Sequence, residues 1–309
     1  MKLFLGVDGG QSGTTALVGD ETGRVVGVGR GGPCNHVGKA EGREKFFGAL
    51  RGCLREAGFE GAAFEAACLG FSGGAEDKEA YVRELISAKH YVVTHDAFVA
   101  LMGATAGEPG VVVIGGTGSI AFGRNREGKT ARAGGWGYVF GDEGGGFDLV
   151  RQSLRAALRH EEGWGPKTAL REALLSSAGA TSANDMLHRF YTDEYPRERV
   201  AAFSKLVDRV ARDGDAVARE ILLAAAQQLA TLASAVRLQI FDAGSLCCIS
   251  YLGGVFRSAI LLDRYRMLME LEDGNRVAEP VYGPAAGALI EAYRSAGLKV
   301  QLKDVPSEK

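Results

Sequence analysis

The sequence predicts an α/β protein with mixed sheets flanked by helices, arranged as two related halves. Strand-like and helix-like segments alternate along most of the chain, which is typical of this fold class. The 309 residues, 46% of them apolar, are enough for two domains of ordinary size. The pattern "LFLGVDGGQSGTTALVGDETGRV" near the start also returns after residue 109 as "GVVVIGGTGSIAFGRNREGKT". We interpret this return as an internal duplication with one glycine loop in each half.

The first half reads as strands and helices in alternation around the opening loop. Apolar residues at helical spacing, Phe46, Phe47, Leu50 and Leu54, indicate its longest helix. The predicted elements are strands at 2–7, 14–19 and 24–29, a helix at 41–57, a strand at 64–74 running into a glycine loop, a helix at 76–88, a strand at 90–97 and a helix at 97–106.

The second half begins after "GEPG" at 107–110, which we interpret as a hinge. The strand, glycine loop and strand of the repeat come first, and helices follow. The further predicted elements are a helix from 147, a long helix over 222–240, a strand at 246–254, a helix at 257–270 and a last helix at 283–297. Pro284 and Gly297 stand at the ends of this last helix, as is usual.

Composition argues against several functional classes. The net charge of −2 is spread over mixed acids and bases, so a dedicated nucleic-acid surface is not expected. No leader-like segment and no apolar run of roughly 18–20 residues is apparent, which predicts a soluble, cytoplasmic protein without a membrane partner. Five cysteines without a Cys-x-x-Cys pair predict buried structural thiols rather than a metal or redox site.

The two glycine loops indicate an anion-binding function. Backbone N–H groups on a glycine turn between strands form a concavity that binds anions. A single such loop is a weak signal because ordinary hairpin turns also use Gly-Gly. Two related loops, one in each half, are a stronger signal and suit the phosphates of a nucleoside triphosphate. Neither loop fits the P-loop or the dinucleotide-binding pattern.

A set of motifs carries a family resemblance over residues 2–297. They are "GVDGGQSGTT", "THDA", "VVVIGGTGSIA", "GGWGYVFGDEGGGFDL", "LGGVF" and "PVYGPAAGAL", in this order. With these motifs the chain resembles bacterial N-acetylglucosamine kinases and BadF/BadG-type ATPases, members of the actin-like, ribonuclease-H-fold sugar kinase superfamily. The resemblance implies a two-lobed fold with the nucleotide in the cleft between the lobes.

The resemblance also implies lobe boundaries and an ATP site. We expect residues 1–106 and 284–300 to form the N-terminal lobe, 107–283 the C-terminal lobe, and 301–309 a disordered tail. The expected cofactors are ATP and Mg²⁺. The residues expected to bind nucleotide are Gly9, Gly10 and Ser12 in the first loop, Gly116, Thr117 and Gly118 in the second, Ala211 in "VARDGD", and Gly253 and Gly254 in "LGGVF". Relatives usually carry threonine where this chain has Ser12.

Two aspartates are candidates for the chemistry. Asp96 ends a strand, where it could be the general base that takes the hydroxyl proton or the cap of the following helix. The spacing alone leaves both open, and the family motif favours the base. Asp8 is expected to help hold Mg²⁺ through water, the alternative being a turn aspartate that bonds its own backbone.

The acceptor site is also inferred from the resemblance. The residues expected to bind the sugar are Asn35, Asp96, Ser119, Gly135, Trp136, Gly137 and Asp142. On residue type alone Asn35 could be a turn residue and Trp136 a core residue. His36 would flank the pocket and Glu143 would support its loop, whereas His95 and the loop Ser72–Gly74 are interpreted as structural.

The leading functional prediction is ATP-dependent phosphorylation of an amino sugar, N-acetylglucosamine at its 6-hydroxyl, by a homodimer. Glucosamine and N-acetylmuramic acid are alternative acceptors. Two further classes are an ATPase activator of a dehydratase or reductase and a sugar-binding sensor. The cysteines lack the spacing that an activator's iron–sulfur cluster requires. A sensor of this fold would usually carry an added DNA-binding module, for which the chain has no spare segment.

Overall fold

The computed structural model describes residues 1–10, 13–34, 40–192 and 194–307. The chain forms two compact units, unit 1 with Met1–Val112 and Glu279–Lys309, and unit 2 with Val113–Ala278. The boundaries predicted from the sequence are 106/107 and 283/284. They differ because the flanking residues bond to unit 1: the backbone N–H of Val281 donates to the carbonyl of Ala104 over 3.1 Å.

The elements of the chain alternate as the sequence predicts. The strands are β1 (Leu3–Gly9), β2 (Thr14–Asp20), β3 (Val25–Gly31), β4 (Ala63–Phe71), β5 (Ser87–His95), β6 (Gly110–Gly115), β7 (Ser119–Arg124), β8 (Thr130–Gly134), β9 (Cys247–Leu252) and β10 (Asn275–Ala278). The helices are α1 (Ala40–Glu56), α2 (Glu79–Leu85), α3 (Asp96–Ala104), α4 (Gly146–Glu161), α5 (Leu170–Ala178), α6 (Ala183–Phe190), α7 (Arg197–Ala202), α8 (Ser204–Arg212), α9 (Ala216–Ile240), α10 (Ala259–Glu270) and α11 (Pro284–Ser295).

Unit 1 contains a mixed sheet in the order β3-β2-β1-β4-β5. The pairs β3–β2 and β2–β1 are antiparallel, whereas β1, β4 and β5 run parallel. β1 and β4 read as continuous apolar runs because helices cover both faces of the sheet. α1 packs over β3 and β2, and α11 packs over β1 and β4 and against α3.

Unit 2 repeats the same topology. Its sheet has the order β10-β9-β6-β7-β8, which, read backwards, matches the order of unit 1 strand for strand. β7 and β8 are antiparallel and β9 and β10 are parallel, as are their counterparts in unit 1. The predicted duplication is therefore confirmed at the level of sheet topology, and so is the α/β fold class.

α9 is a core helix of unit 2. It packs against β7 and β8 and against α4, α8 and α10. By length and composition alone it could also cross a membrane, which differs from the expectation that no segment is apolar enough to do so. Its fully buried Arg237 donates to the side chain of Asn275 and to the carbonyl of Ser245 within unit 2.

The C-terminal segment corrects the expectation of a disordered tail for residues 301–307. The backbone N–H of Lys303 donates to Gly23 O over 2.9 Å, and Asp304 pairs with Arg24 over 2.7 Å. Leu302 is buried in the core beneath α11. The polar composition of this segment hides the contacts of Leu302 and Val305 with the core and the backbone bonds that hold the segment to the β2–β3 turn.

Candidate functional site

The strand register of unit 1 brings the two candidate aspartates to one edge of its sheet. Asp8 of β1 is level with Gly70 of β4, and Gly70 is level with Thr94 of β5. β5 ends at His95, one residue after Thr94, and Asp96 follows directly. Neighbouring strands lie about 4.8 Å apart, so Asp8 and Thr94 stand about two strand spacings apart, and Asp96 lies two residues beyond Thr94. The carboxyl edge of parallel strands is the usual place for ligands in α/β folds.

The first glycine loop closes over this same edge. The backbone N–H of Gly10 donates to Gly13 O over 2.8 Å, and the N–H of Ser72 donates to Gly9 O over 3.0 Å. A Cβ on Gly9 would lie 2.5 Å from the Phe71 ring, so the backbone passes as close to that side chain as it can. The predicted site residues Ser12, Asn35 and His36 lie outside the described residues.

The helix-cap interpretation of Asp96 is wrong. The N-cap of α3 is His95, whose Nδ1 accepts a hydrogen bond from the N–H of Phe98 at 3.2 Å. Asp96 lies in the first turn, where its Oδ1 accepts from the N–H of Ala97 over 2.8 Å, and it is half-buried. The capping work falls to His95, which agrees with the structural role that the sequence analysis gave it.

The second glycine loop is held by the start of α4. The backbone N–H groups of Gly146 and Phe147 donate to the carbonyls of Gly116 and Thr117 over 2.8 and 3.0 Å. The first N–H groups of a helix have no partner within the helix, so this arrangement satisfies both sets of groups. The carbonyls of the loop are thus bonded to unit 2. Within the loop, the N–H of Gly116 bonds to Gly118 O over 3.0 Å.

Gly253 joins the second loop from the end of β9. Its φ is +101°, and a Cβ there would lie 2.3 Å from Gly115 O and 2.9 Å from Gly116 N. Only glycine combines this backbone conformation with so close an approach. The structure therefore brings "LGGVF" and the second loop together within unit 2, as the predicted nucleotide site requires. Gly254 follows at the start of a short 3₁₀ turn, and Ala211 is buried on α8.

Asp142 and Ser119 lie side by side at the end of the second loop. Both are buried, and Oδ1 of Asp142 accepts from the N–H of Ser119 over 3.4 Å. The Ser119 hydroxyl donates to Glu143 O over 2.6 Å, so its proton is used inside unit 2. Asp142 also has a φ of +64°, an unusual value for a residue with a side chain. These positions suit loop support, and sugar contact stays a prediction for both.

Trp136 is not a core residue. Its side chain is 66% exposed, with the Arg132 guanidinium over the ring at 4.6 Å from the centroid. Gly135 and Gly137, on either side, have φ values of +74° and +80°, which turn the chain sharply around the indole. The alternative of a buried tryptophan is therefore wrong, and the ring is available to a ligand on the surface of unit 2.

The donor set fits a magnesium ion held mainly by water and phosphate. Among the described residues no three His, Cys, Asp or Glu side chains gather into a metal-binding cluster. Asp8 is a half-buried carboxylate at the carboxyl edge of β1. Mg²⁺ usually keeps several waters and takes one or two carboxylates beside substrate phosphates, so a single aspartate is sufficient here.

Two cationic residues near the loops have no signal in the sequence. Arg197 of α7 forms an ion pair with Asp142, which is 55 residues away along the chain. Lys78 is 2% exposed, and its Nζ donates to Gly74 O and to Asp77, each over 2.9 Å. Lys78 therefore fastens the Ser72–Gly74 loop, which in turn bonds to Gly9. Both residues stand in ordinary helical or turn sequence, where only the folded chain shows their partners.

Relatives of known type cover nearly the whole chain. An N-acetylmuramic acid/N-acetylglucosamine kinase of Clostridium acetobutylicum is 32% identical over 88% of this chain and 91% of its own length. An N-acetyl-D-glucosamine kinase of Dictyostelium discoideum is 30% identical over 95% of this chain and 98% of its own.

Solved structures share the fold. A candidate N-acetylglucosamine kinase of Chromobacterium violaceum superposes with a TM-score of 0.75 at 24% identity, covering 94% of this chain and 98% of its own. A ROK family glucokinase of Streptomyces griseus, solved with glucose and AMPPNP, has a TM-score of 0.55 at 21% identity and covers 95% and 97% of the two chains. The family model of the BadF/BadG/BcrA/BcrD ATPases matches residues 5–292, and the chain belongs to this family.

Proposed function

We propose that this protein is an ATP-dependent kinase that phosphorylates an amino sugar, N-acetylglucosamine at its 6-hydroxyl. The observation that carries the proposal is the repeated sheet, in which the first strand of each unit runs into a glycine loop. The two relatives at 30–32% identity, both named as kinases of N-acetylated amino sugars, support the substrate class. N-acetylmuramic acid is the second acceptor to consider because the Clostridium relative is named for it as well.

The proposed base is Asp96. It takes the proton of the sugar 6-hydroxyl, the hydroxyl oxygen forms a bond to the γ-phosphorus of ATP, and the bond from that phosphorus to the β,γ-bridging oxygen breaks to release ADP. A positioned base contributes typically about 10²–10⁴-fold to the rate. Its half-buried position at the end of β5 supports this role, since the neighbouring His95 does the capping.

The glycine loops are proposed to surround phosphate oxygens and to bind them through their remaining backbone N–H groups, since those of Gly10 and Gly116 donate to Gly13 O and Gly118 O. Gly9, Gly10 and Ser12 serve in the first loop, and Gly116, Thr117 and Gly118 serve in the second, with Gly253 and Gly254 beside it. Ala211 is proposed to lie near the adenosine. Asp8 would hold Mg²⁺ through water, and the ion would neutralise charge on the transferring phosphoryl group.

The sugar is proposed to contact Asn35, Trp136, Gly135, Gly137, Ser119 and Asp142. The exposed indole of Trp136 offers an apolar face to a sugar ring or an acetyl methyl. A homodimer in the cytoplasm is proposed on the resemblance. The five free thiols support a reducing compartment.

A panel of acceptors tests the function. ADP release is measured with Mg²⁺-ATP and N-acetylglucosamine, N-acetylmuramic acid, glucosamine, glucose or no sugar. We expect N-acetylglucosamine to stimulate turnover well above the rate without sugar. Equal rates in every arm would contradict the kinase proposal, and stimulation by N-acetylmuramic acid alone would move the acceptor assignment.

Asp96→Asn tests the base. We expect kcat to fall by about 10²–10⁴-fold while the affinity for ATP stays near that of the wild type, because only the proton acceptor is removed. Asp263→Asn, which changes an exposed carboxylate in α10, is the matched control and should leave kcat unchanged. Near-normal turnover by Asp96→Asn would show that another group takes the proton.

A further inference from the structure

Arg197 occupies an unusual position beside the second glycine loop. It begins α7, and its guanidinium pairs with the buried carboxylate of Asp142. The side chain is 21% exposed, and the guanidinium carbon lies 5.5 Å from the centroid of the Tyr138 ring. The Arg197 Nε is buried and bonds to no described side chain or backbone group. The cation is thus held inside unit 2 rather than presented as a solvated surface charge.

Asp142 needs this partner. A buried carboxylate without a counter-charge is costly, so removing one member of a buried pair is strongly destabilising. The same carboxylate accepts the N–H of Ser119, the first residue of β7. The left-handed backbone at Asp142 adds a conformational cost that its contacts must offset. Arg197 therefore holds Asp142 through its Oδ2, while Oδ1 of the same carboxylate accepts the N–H of Ser119 at the end of the loop.

Gly118 shows how closely the ion pair approaches the loop. A Cβ on Gly118 would lie 2.4 Å from Asp142 Oδ2 and 2.5 Å from the Arg197 Nη2. Both charged groups therefore pack directly against the backbone of the loop, and the loop conformation and the ion pair depend on each other.

α7 also packs against the start of α4, which bonds to the other end of the loop. Val200 and Ala201 are buried, and a Cβ on Gly146 would lie 3.2 Å from Ala201 O. Gly146 is the residue whose N–H binds Gly116 O. The start of α4 thus bonds to the loop at Gly116, and the Asp142–Arg197 pair contacts it at Gly118 and Ser119. α7 contributes to both contacts, through Ala201 beside Gly146 and through Arg197.

We propose that Arg197 is a positioning residue for the second glycine loop, acting through Asp142 so that the N–H groups of Thr117 and Gly118 are held for phosphate. It touches neither the sugar nor the transferring atoms in this role. The inference rests on the proposed function only in that the ligand of the loop is a nucleotide. Its test therefore measures nucleotide binding apart from sugar phosphorylation.

The test compares Arg197→Met and Arg197→Lys with Arg199→Met. Arg199 is two residues along the same helix but stacks on Tyr195 and donates to Glu194 O, away from Asp142, so it is a matched control. The dissociation constant of Mg²⁺-ATP and that of N-acetylglucosamine alone are measured by calorimetry, and the melting temperature is measured for each variant.

We expect Arg197→Met to raise the Kd of Mg²⁺-ATP about 10-fold or more, which corresponds to about 1.4 kcal/mol, and to raise the Kd of the sugar as well, because Asp142 is also a proposed sugar contact. Arg197→Lys keeps the charge and should recover part of the ATP affinity, and Arg199→Met should bind ATP as the wild type does. In the double variant Arg197→Met/Asp142→Asn the losses of ATP affinity should not add, since the two side chains act as one ion pair.

Three results with the variants would overturn the inference. The first is an ATP affinity of Arg197→Met within twofold of wild type, even if its melting temperature falls, because Arg197 would then be structural only. The second is a loss confined to sugar affinity. The third is an Arg197→Lys variant that has the melting temperature of the wild type but recovers none of the ATP affinity lost in Arg197→Met. A wild type that binds ATP but phosphorylates no sugar would overturn the proposed function and leave this test intact, whereas a wild type that binds no ATP would overturn both.

Discussion

At the residue scale, two buried tyrosines show how much a single hydroxyl matters. Tyr293 of α11 donates its hydroxyl proton to Asp20 O over 2.6 Å, whereas the hydroxyl of Tyr265 is buried without a partner among the described residues. Both rings are almost fully buried. Burial raises the pKa of each hydroxyl above its ordinary value, because the charged form loses its hydration.

Removing these two hydroxyls should have opposite effects on stability. An unsatisfied buried polar group costs about 1–3 kcal/mol, so Tyr265→Phe should raise the free energy of unfolding by about 1 kcal/mol. Tyr293→Phe breaks a hydrogen bond and leaves a carbonyl behind, so it should lower the free energy by about 1 kcal/mol. Urea unfolding of both variants is the measurement. A loss of stability in Tyr265→Phe would reveal a partner for that hydroxyl, such as an ordered water.

The sequence predicted the positions of single residues where the signal is local, and their roles in the site stay predictions. Asp8 and Asp96 stand at strand ends, and the strand register places both at one sheet edge. It failed where two residues meet only in the folded chain. Arg197 and Asp142 lie 55 positions apart, and neither their spacing nor their residue types predict that they form an ion pair. The capping role of His95 was equally hidden, because Asp is the commoner cap and stands next to it.

At the element scale, α11 shows how small residues allow close packing. It packs on α3 so closely that a Cβ on Gly287 would lie 2.0 Å from Val99 O and 2.2 Å from Gly103 N. The segment "PAAGAL" supplies alanines around this glycine, and the helix contacts β1 and β4 as well. Gly287 thus sets the distance between two helices, and its helix-weakening effect is the cost of that contact.

Gly287→Ala should therefore destabilise the protein even though alanine favours helices. The added methyl overlaps backbone atoms that cannot move separately, and overpacking of this kind costs typically about 1–3 kcal/mol or more. Gly48→Ala is the matched control: it lies on the exposed side of α1, where a Cβ meets nothing within 4 Å, and it should raise stability by up to about 1 kcal/mol. Thermal unfolding of both variants tests this, and equal melting temperatures would contradict it.

Element boundaries depended on partners that the sequence does not name. The predicted helix at 76–88 and strand at 90–97 become α2 (Glu79–Leu85) and β5 (Ser87–His95). β5 begins early because Ser87 and Ala88 pair with Ala63 and Phe64 of β4. Pairing with a neighbouring strand overrides local helical preference at these positions.

At the scale of the whole molecule, the duplication could be predicted because its signal is repeated. Each glycine loop is a local feature, and two loops at the same place in two similar strand patterns indicate two related units. The common sheet order of the units confirms this. The exact points where the chain passes between units could not be predicted, since they depend on contacts such as that between Val281 and Ala104.

The five thiols report on the integrity of both units. Cys34, Cys53 and Cys68 are buried in unit 1, and Cys247 is buried in unit 2, whereas Cys248 is half-buried. Burial raises the pKa of Cys34 to about 11 and that of Cys53 to about 12. Burial also raises the pKa of Cys247 to about 12. The folded protein therefore keeps these thiols neutral at pH values where the unfolded chain ionises them.

This difference fixes the sign of a pH effect on the whole chain. An unfolded thiol loses its proton near pH 9, below the pKa that it has in the folded state, so above pH 9 the unfolded state binds fewer protons. The stabilising effect of burying a neutral thiol is complete below pH 9 and is lost as the pH rises towards 11 and 12. We expect the free energy of unfolding to fall over pH 9–11, measured by urea titration, and Cys53→Ala to reduce that fall. A free energy of unfolding that is constant from pH 8 to 11 would contradict these pKa shifts.

At pH 8 a thiol reagent should titrate at most one of the five cysteines without denaturant and all five in its presence. Rapid reaction of four or more native thiols would show that the two cores do not shield them.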